Sequence, residues 1–450
     1  MASEAIPTKG PTATDRSEQR LGPFGLWGTT VAGPLLLLLS LDQDKLLPLP
    51  VLLSVSVAFL YHAMRAELTA AIPGDGSAFS IARVFLGRRW ARVAGLAELY
   101  LLSGLALGSG IAMLAGGVDA FGWPGGIAVT IVALALQLGT RRVGAALWVT
   151  LALAALILFG GSAIIASFGR PSAEAADNAV LWFGSDAGDS VLLSGLAILI
   201  PVLPCLTDDT DMPRQGVARV AVFSSLTVCI AAAALVLPLN RGAGTLAGHL
   251  SQRAGTGLVC LGSFATYCLT WRAAANLLRR MSRAGHLSDS WEDAPIGIPR
   301  FALLGVWFFQ IAFVIVTIAV SGVSWAVLDD AASTDIFIAL GAPVVLPIAL
   351  TSVSYLSFRF RNAFDEPGRY RAPLGAPTAV VLIVASVAAA VVPLVMELSD
   401  QSLSFDLKCL VAISLSLAIP AVWCVRGGRG EKHSSAEIVY AERLRERGDR

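Results

Sequence analysis

Charged side chains are scarce in this chain. Asp, Glu, Lys and Arg make up 14% of the 450 residues, whereas hydrophobic residues reach 55% and mean hydropathy is +0.70. Soluble domains carry roughly 25% charged residues, so the composition predicts an integral membrane protein. The formal net charge is +1 and no basic stripe is present, which argues against a nucleic-acid partner.

The sequence also lacks the usual motifs of metal, redox and enzyme chemistry. Its six cysteines lie within or beside apolar runs and form no CxxC pair, which excludes a recognisable disulfide framework or zinc site. The four histidines form no HExxH motif, and neither a GxSxG motif nor a phosphate loop is present. We therefore expect a protein that is not an enzyme and binds no cofactor. The first twenty residues are polar and show no cleaved signal peptide.

Long apolar runs are abundant. A helix needs about 20 apolar residues to cross a hydrocarbon core of about 30 Å. Runs of about this length lie at residues 22–41, 48–71, 91–115, 124–140, 143–168, 190–207, 216–239, 256–278, 301–322, 335–357, 374–396 and 407–425. The sequence therefore predicts an all-α membrane protein with about twelve transmembrane helices.

Basic residues predict how these helices are oriented. Lys and Arg concentrate in both tails and in every second loop, and the remaining loops hold only Lys45, Arg170, Arg241, Arg253 and Lys408. By the positive-inside rule, both termini are cytoplasmic. We expect a cytoplasmic tail at 1–21, a transmembrane transporter domain at 22–425 and a second cytoplasmic tail at 426–450. A multi-pass protein of the cytoplasmic (inner) membrane fits this pattern, and the heavy use of Ala, Gly and Arg indicates a bacterial source.

The sixth predicted span is unusual because it contains two prolines. Pro201 and Pro204 cannot donate backbone hydrogen bonds to the carbonyls one turn earlier. At membrane depth such backbone is tolerated only where protein or a wet cavity satisfies it. We interpret residues 190–214 as a broken helix beside a cavity, and the alternative is a proline kink in a packed helix.

The first span contains a matching interruption. With span 1 running outward and span 6 inward, a five-helix repeat would be inverted in the membrane, with broken helices at corresponding positions. Residues Thr29, Thr30, Val31, Ala32 and Gly33 precede Pro34, which suits the first turn of a half-helix. The free N–H groups of such a half-helix would attract a carboxylate. The alternative is a Gly/Pro kink packed on a neighbouring helix.

Several loops carry a family resemblance. Residues 65–68 (RAEL), 72–79 (IPGDGSAF), 281–287 (MSRAGHL) and 369–375 (RYRAPLG) follow spans 2, 8 and 10. Together they resemble the amino acid-polyamine-organocation (APC) superfamily of amino acid permease-like transporters, over about residues 21–425. The resemblance implies a leucine-transporter-like fold: two inverted five-helix repeats, at about 22–168 and 190–357, plus two extra helices at about 374–425.

The resemblance also implies a central site among spans 1, 3, 6, 8 and 10. We expect substrate contacts from the two interrupted segments and from Tyr267 on span 8. The candidate substrate-binding residues are Thr29, Thr30, Val31, Ala32, Gly33, Ile200, Pro201, Val202, Leu203 and Tyr267. Both segments depart from the family pattern. The segment 31–34 keeps one glycine of the family's Gly-Ser/Ala-Gly-Ile stretch, and in 200–204 prolines stand where the family has a flexible glycine.

Few ionisable residues are embedded in the spans, and these are the candidates for coupling. Glu98 lies about two turns into span 3, and we expect it either to carry a proton or to form a structural pair with Arg65 or His62. Glu67 and His62, near the inner end of span 2, are candidates for proton coupling or a solvated gate.

Span 8 offers hydroxyl groups at helical spacing. Ser263, Thr266 and Thr270 would present oxygens toward span 1, and we expect either a sodium site at Thr266 and Thr270 or ordinary helix packing.

The sequence as a whole predicts a secondary active transporter. The expected substrate is an amino acid or related amine, moved by alternating access with proton coupling or exchange. An exporter of the same fold and a transport-dead sensor or partner subunit stay open as alternatives. The expected partners are this small molecule and the lipid bilayer, and the sequence identifies no partner protein.

Overall fold

A computed structural model describes residues 22–40, 48–71, 76–138, 141–168, 213–240, 252–287, 301–308, 310–311, 346–360 and 370–387. Within these ranges all regular structure is helical. The helices are α1 (Pro23–Ser40), α2 (Pro48–Ala71), α3 (Ala78–Phe85), α4 (Arg88–Leu138), α5 (Arg141–Phe168), α6 (Arg214–Asn240), α7 (Gln252–Arg283), α8 (301–308), α9 (346–360) and α10 (Ala376–Val387).

Apart from α3, these helices lie where the apolar runs predict them. Helices α1, α2, α5, α6 and α7 cover the predicted runs 22–41, 48–71, 143–168, 216–239 and 256–278 closely. By length and composition alone, two described helical stretches, Arg88–Leu136 and Gln215–Ala234, are long and apolar enough to cross a membrane. Ala146–Gly161 and Ala376–Val387 are shorter apolar helices.

Helix α4 is bent into a hairpin and contains two predicted spans. At Gly122 the backbone takes φ 74° and ψ 174°, a conformation that is essentially restricted to glycine. The two arms meet at small residues: a Cβ built on Gly117 would lie 2.9 Å from the Cα of Gly126. The predicted runs 91–115 and 124–140 are these two arms, so the turn between them is made by one glycine followed by Trp123 and Pro124.

Helix α3 lies in the loop between α2 and α4, where no helix is predicted. Its N-cap is Ser77, whose hydroxyl accepts a hydrogen bond from the Ser80 amide at 3.2 Å. Phe79 and Ile81 are buried, which fixes α3 against the ends of the neighbouring helices. Capping and burial therefore stabilise a helix of eight residues that would be marginal alone.

Helix α1 lies in contact with α5, α6 and α7, and α4 packs along α7. The apolar core between α3, α4 and α7 is rich in alanine, with Phe79, Phe264, Tyr267 and Trp271 filling the larger spaces. Small side chains let the helix backbones approach closely, as expected for packing between membrane helices.

Candidate functional site

The candidate site is centred on α1 because three helices approach this helix at glycine and hydroxyl positions. A Cβ on Gly28 would lie 2.7 Å from the Cα of Val149 on α5. On the α6 side, the Thr30 hydroxyl bonds the Ser224 hydroxyl at 3.1 Å. On the α7 side, a Cβ on Gly33 would lie 2.9 Å from the Thr266 Oγ1. The predicted site segment of span 1 therefore faces the helix that carries the predicted span 8 hydroxyls.

The predicted break between Thr29 and Pro34 is wrong for the described conformation. Helix α1 runs without interruption from Pro23 to Ser40 with Pro34 inside it. The Thr29 hydroxyl donates to the Gly25 carbonyl at 2.6 Å, and the Thr30 hydroxyl donates to the carbonyl of Leu26 at 3.0 Å. These hydroxyls bond the preceding helical turn.

The other predicted substrate-binding residues of spans 1 and 6 divide into two groups. Val31 and Ala32 are fully buried in the apolar core with α5 and α6. The span 6 residues Ile200, Pro201, Val202 and Leu203 lie outside the described residues. Direct contact of either group with a substrate stays a prediction.

The hydroxyls of α7 differ in how they are bonded. The Ser263 and Thr266 side-chain oxygens are buried and have no hydrogen-bond partner among the described residues. Thr270 donates its hydroxyl to the Thr266 carbonyl at 2.7 Å. Residues 263 and 266 are one turn apart on one helix face, so the two oxygens lie on the same side of α7. Buried oxygens without partners are uncommon in folded proteins, which marks this face as a candidate ligand site.

Tyr267 packs in an aromatic cluster beside this face. Its ring lies against Gly110 of α4, where an added Cβ would come within 3.1 Å. The Tyr267 and Trp271 ring centroids are 5.2 Å apart, and Trp271 stacks on Trp307 at 6.1 Å. The expected closure of Tyr267 over a ligand stays a prediction.

Glu98 forms a structural pair with Arg65, which is one of the two roles that its position in span 3 predicts. Its Oε1 accepts a hydrogen bond from Arg65 at 2.9 Å, and its Oε2 accepts one from the Ala78 amide at 2.9 Å. Arg65 also donates to the Gly76 carbonyl at 2.7 Å and to the Tyr61 hydroxyl at 3.0 Å. We name these five residues the Glu98 cluster. It joins α2 to α4 and places a carboxylate at the N-terminus of α3, where the helix dipole favours negative charge.

Glu67 is likewise held in a buried cluster, so its predicted solvated position is wrong. Its Oε2 accepts hydrogen bonds from the Tyr355 hydroxyl at 2.5 Å, from Arg359 at 2.7 Å and from the Ala372 amide at 2.7 Å. Its side chain is only 2% exposed. We name these four residues the Glu67 cluster. Burial and the nearby Glu67 charge raise the pKa of Tyr370, in the turn before α10.

No sequence pattern predicts the Glu67 cluster, although one local signal repeats. Tyr61 and Arg65 on α2 have the same Tyr-x-x-x-Arg spacing as Tyr355 and Arg359 on α9. In both pairs the guanidinium lies over the ring, at 5.2 and 5.3 Å from its centroid. His62, the third coupling candidate, is buried, and its ring lies 6.0 Å from that of Tyr61. A role for Glu67, Glu98 or His62 in proton coupling stays a prediction.

This arrangement of helices matches solved transporter structures over nearly the whole chain. Crystal structures of a manganese transporter from Eremococcus coleocola are similar in fold. One glutamate variant of it matches with a TM-score of 0.54 and 14% identity, over 99% of this chain and 98% of that one. Its complex with an aromatic bis-isothiourea substituted compound matches with a TM-score of 0.53 and 14% identity, over 98% and 97%. A histidine variant matches with a TM-score of 0.52 and 15% identity, over 99% of this chain and 98% of that one. The chain has the fold of these transporters.

No protein-family model matches the chain, and neither does any curated protein sequence. The transporter fold is therefore recognised from the helix arrangement. At 14% identity, the likeness describes the fold alone.

Proposed function

We propose that this chain is a secondary active transporter of an amino acid or related amine. It works by alternating access across the cytoplasmic membrane, driven by proton coupling or exchange. The observation that carries the proposal is the match to a transporter fold over 99% of the chain. The hydropathy supports a multi-pass protein of about twelve helices, and the distribution of basic residues supports cytoplasmic termini. The APC-like loops support the two inverted repeats of a leucine-transporter-like fold and the amine substrate.

The substrate site of this proposal lies between α1 and α7. Because a Cβ on Gly33 would already lie 2.9 Å from the Thr266 Oγ1, α1 must move away from α7 for substrate to enter. Substrate would then meet the Ser263 and Thr266 hydroxyls, which are buried and have no partner among the described residues. Because Pro34 has no N–H, the Thr30 carbonyl lacks its usual helical donor. We propose that α1 opens at this point to expose N–H groups that hold the substrate carboxylate.

A sodium ion fits the same face of α7 in part. Hard cations prefer oxygen ligands, and Ser263 and Thr266 offer two buried hydroxyl oxygens without described partners. Thr270 fits less well because its hydroxyl hydrogen is committed to the Thr266 carbonyl, although its lone pairs stay available. We therefore assign Ser263 and Thr266, with Thr270 third, as the residues that would hold sodium. Bound there, the ion would supply positive charge beside α1.

Two other functions use the same fold. Export needs no change in the site, since direction depends on the gradients. A transport-dead sensor or partner subunit is favoured because both segments are atypical: 31–34 keeps only one glycine of the APC pattern, and the prolines at 201 and 204 stand where that pattern has a flexible glycine. Manganese is the substrate of the structural neighbour. Among the described residues, no group of three His, Cys, Asp or Glu side chains could hold a metal ion.

Counterflow in proteoliposomes tests these proposals. Purified protein would be reconstituted and offered pooled amino acids, polyamines and, separately, Mn²⁺. We expect saturable flux of at least one amino acid or amine. Flux of Mn²⁺ alone would overturn the substrate class, and no flux of any of them by folded protein would favour the sensor.

The Thr266→Val variant tests the position of the site. Valine keeps the shape of threonine and removes the hydroxyl, and losing one hydrogen-bonding ligand group costs about 1–3 kcal/mol. We expect substrate or sodium affinity to fall about tenfold or more. The matched control is Thr150→Val on α5, which removes an exposed hydroxyl bonded to the Ala146 carbonyl. Equal affinities for both variants would place the site elsewhere.

A further inference from the structure

The C-terminal end of α2, which the basic loops predict to be cytoplasmic, is held from two sides. Arg65 belongs to the Glu98 cluster and Glu67 to the Glu67 cluster, and these residues are two positions apart on α2. Successive residues of a helix are rotated by about 100°, so the two side chains leave α2 about 200° apart. One side of α2 is therefore tied to α4 and the start of α3, and the other side to α9 and the turn before α10.

The two clusters differ in how completely water is excluded. In the Arg65–Glu98 pair, the side chains are 3% and 2% exposed. In the Arg359–Glu67 pair, the Arg359 side chain is 24% exposed while Glu67 is 2% exposed. A guanidinium that already reaches solvent loses less when its partner leaves, whereas separating a fully buried pair strands two charges. The Glu67 cluster is thus the easier of the two to open.

Every hydrogen bond that ties α2 into the Glu67 cluster meets at one atom, and the remaining one, from Arg359 Nε to the Tyr355 hydroxyl at 2.9 Å, lies within α9. The Glu67 Oε2 accepts from Tyr355, Arg359 and Ala372, and none of these donors belongs to α2. Withdrawal of this single carboxylate oxygen would release α9 and the turn before α10 together. In the Glu98 cluster, by contrast, Arg65 spreads its donors over the Gly76 carbonyl, the Tyr61 hydroxyl and Glu98.

We propose that the Glu67 cluster is a cytoplasmic latch, which closes the boundary between α2 and α9 and releases it when the transporter opens inward. The Glu98 cluster stays closed and keeps α2 with α4. This inference rests on the proposed transport function, because alternating access requires one such boundary to open on the cytoplasmic side. It gives Glu67 a gating role from inside a buried cluster, where its charge anchors three donors.

A distance measurement across α2 tests the latch. Spin labels would be attached after Trp90→Cys, at the start of α4, and Phe360→Cys, at the end of α9, because both side chains are exposed. The background would lack the six native cysteines. Pulsed EPR in lipid nanodiscs then gives the distance distribution with no substrate. We expect Glu67→Gln to raise the population at the longer distance, relative to the population at the shorter distance, about tenfold, which corresponds to about 1.4 kcal/mol.

Two further variants keep the test decisive. Arg359→Gln removes the partly exposed partner of Glu67 and should also raise the population at the longer distance. This variant carries the test if Glu67→Gln does not fold. Ser354→Ala on α9 removes a hydroxyl that bonds the Leu350 carbonyl of the same helix, and it should leave the distances unchanged. A lower Tm with unchanged distances in both latch variants would show a permanent clamp and overturn the proposal. A longer distance without any flux would keep the latch and refute the transport function instead.

Discussion

Replacing Gly28 by alanine should separate α1 from α5. An alanine Cβ would lie 2.6 Å from the Val149 Cγ2 and 2.7 Å from both the Cα and the backbone nitrogen of Val149. Non-bonded carbon atoms in contact lie about 3.5–4.0 Å apart, so the helices would have to move apart by about 1 Å. Two of the three atoms are backbone, and no side-chain rotation can relieve them.

The expected cost follows from comparison with Gly160→Ala. Gly160 lies within α5, and a Cβ built there meets no atom within 4 Å. Both variants gain the same helix propensity, about 1 kcal/mol, so their difference isolates the steric term. Overpacking of this kind costs about 1–3 kcal/mol, and we expect Gly28→Ala to be less stable than Gly160→Ala by that amount.

Thermal unfolding of the two variants in the same detergent measures this difference. Gly160→Ala should match or exceed the unsubstituted protein in Tm, and Gly28→Ala should unfold at a lower temperature. Equal Tm values for the two variants would show that the α1 and α5 backbones do not approach at Gly28. The close packing of α1 against α5 beside the candidate site would then lose its support.

Two further substitutions test other parts of the fold. Gly122→Ala places a side chain at φ 74° and ψ 174°, and we expect a loss of about 1–3 kcal/mol, seen as a lower Tm; an unchanged Tm would refute the strained bend in α4. Glu98→Gln leaves the buried Arg65 charge without its anion, and we expect a loss of about 3 kcal/mol or more in stability. If transport by Glu98→Gln keeps its dependence on pH, Glu98 is structural and carries no proton; a lost pH dependence with unchanged stability would contradict the structural role.

The positions of the helices could be predicted from the sequence because hydropathy and length are local properties. The runs 91–115 and 124–140 appear as the two arms of α4, and the glycines between them signal the bend. Helix α3 was missed because eight residues form no long apolar run. The pairing of Glu98 with Arg65 was one of two interpretations, and the structure confirms it as the contact that is made.

The Glu67 cluster could not be predicted because its partners are distant in sequence. Tyr355 and Arg359 are separated from Glu67 by about 290 residues, and no local pattern fixes which carboxylate they meet. The predicted break in α1 failed for a different reason. Pro34 lacks an N–H, yet a single missing donor does not by itself end the helix in this packed environment. The span 6 prolines lie outside the described residues, so the symmetry between the two segments stays a prediction.

The bend at Gly122 also has a consequence for how the chain folds. It brings Gly117 against Gly126, so the contacts between the two arms of α4 join residues close in sequence. Contacts of this kind cost little loop-closure entropy and form fast, whereas the partners of Glu67 must wait for residues far along the chain. The α4 hairpin is therefore expected to assemble early and to be in place before α9 arrives. The Glu67 cluster would then be among the last contacts to form.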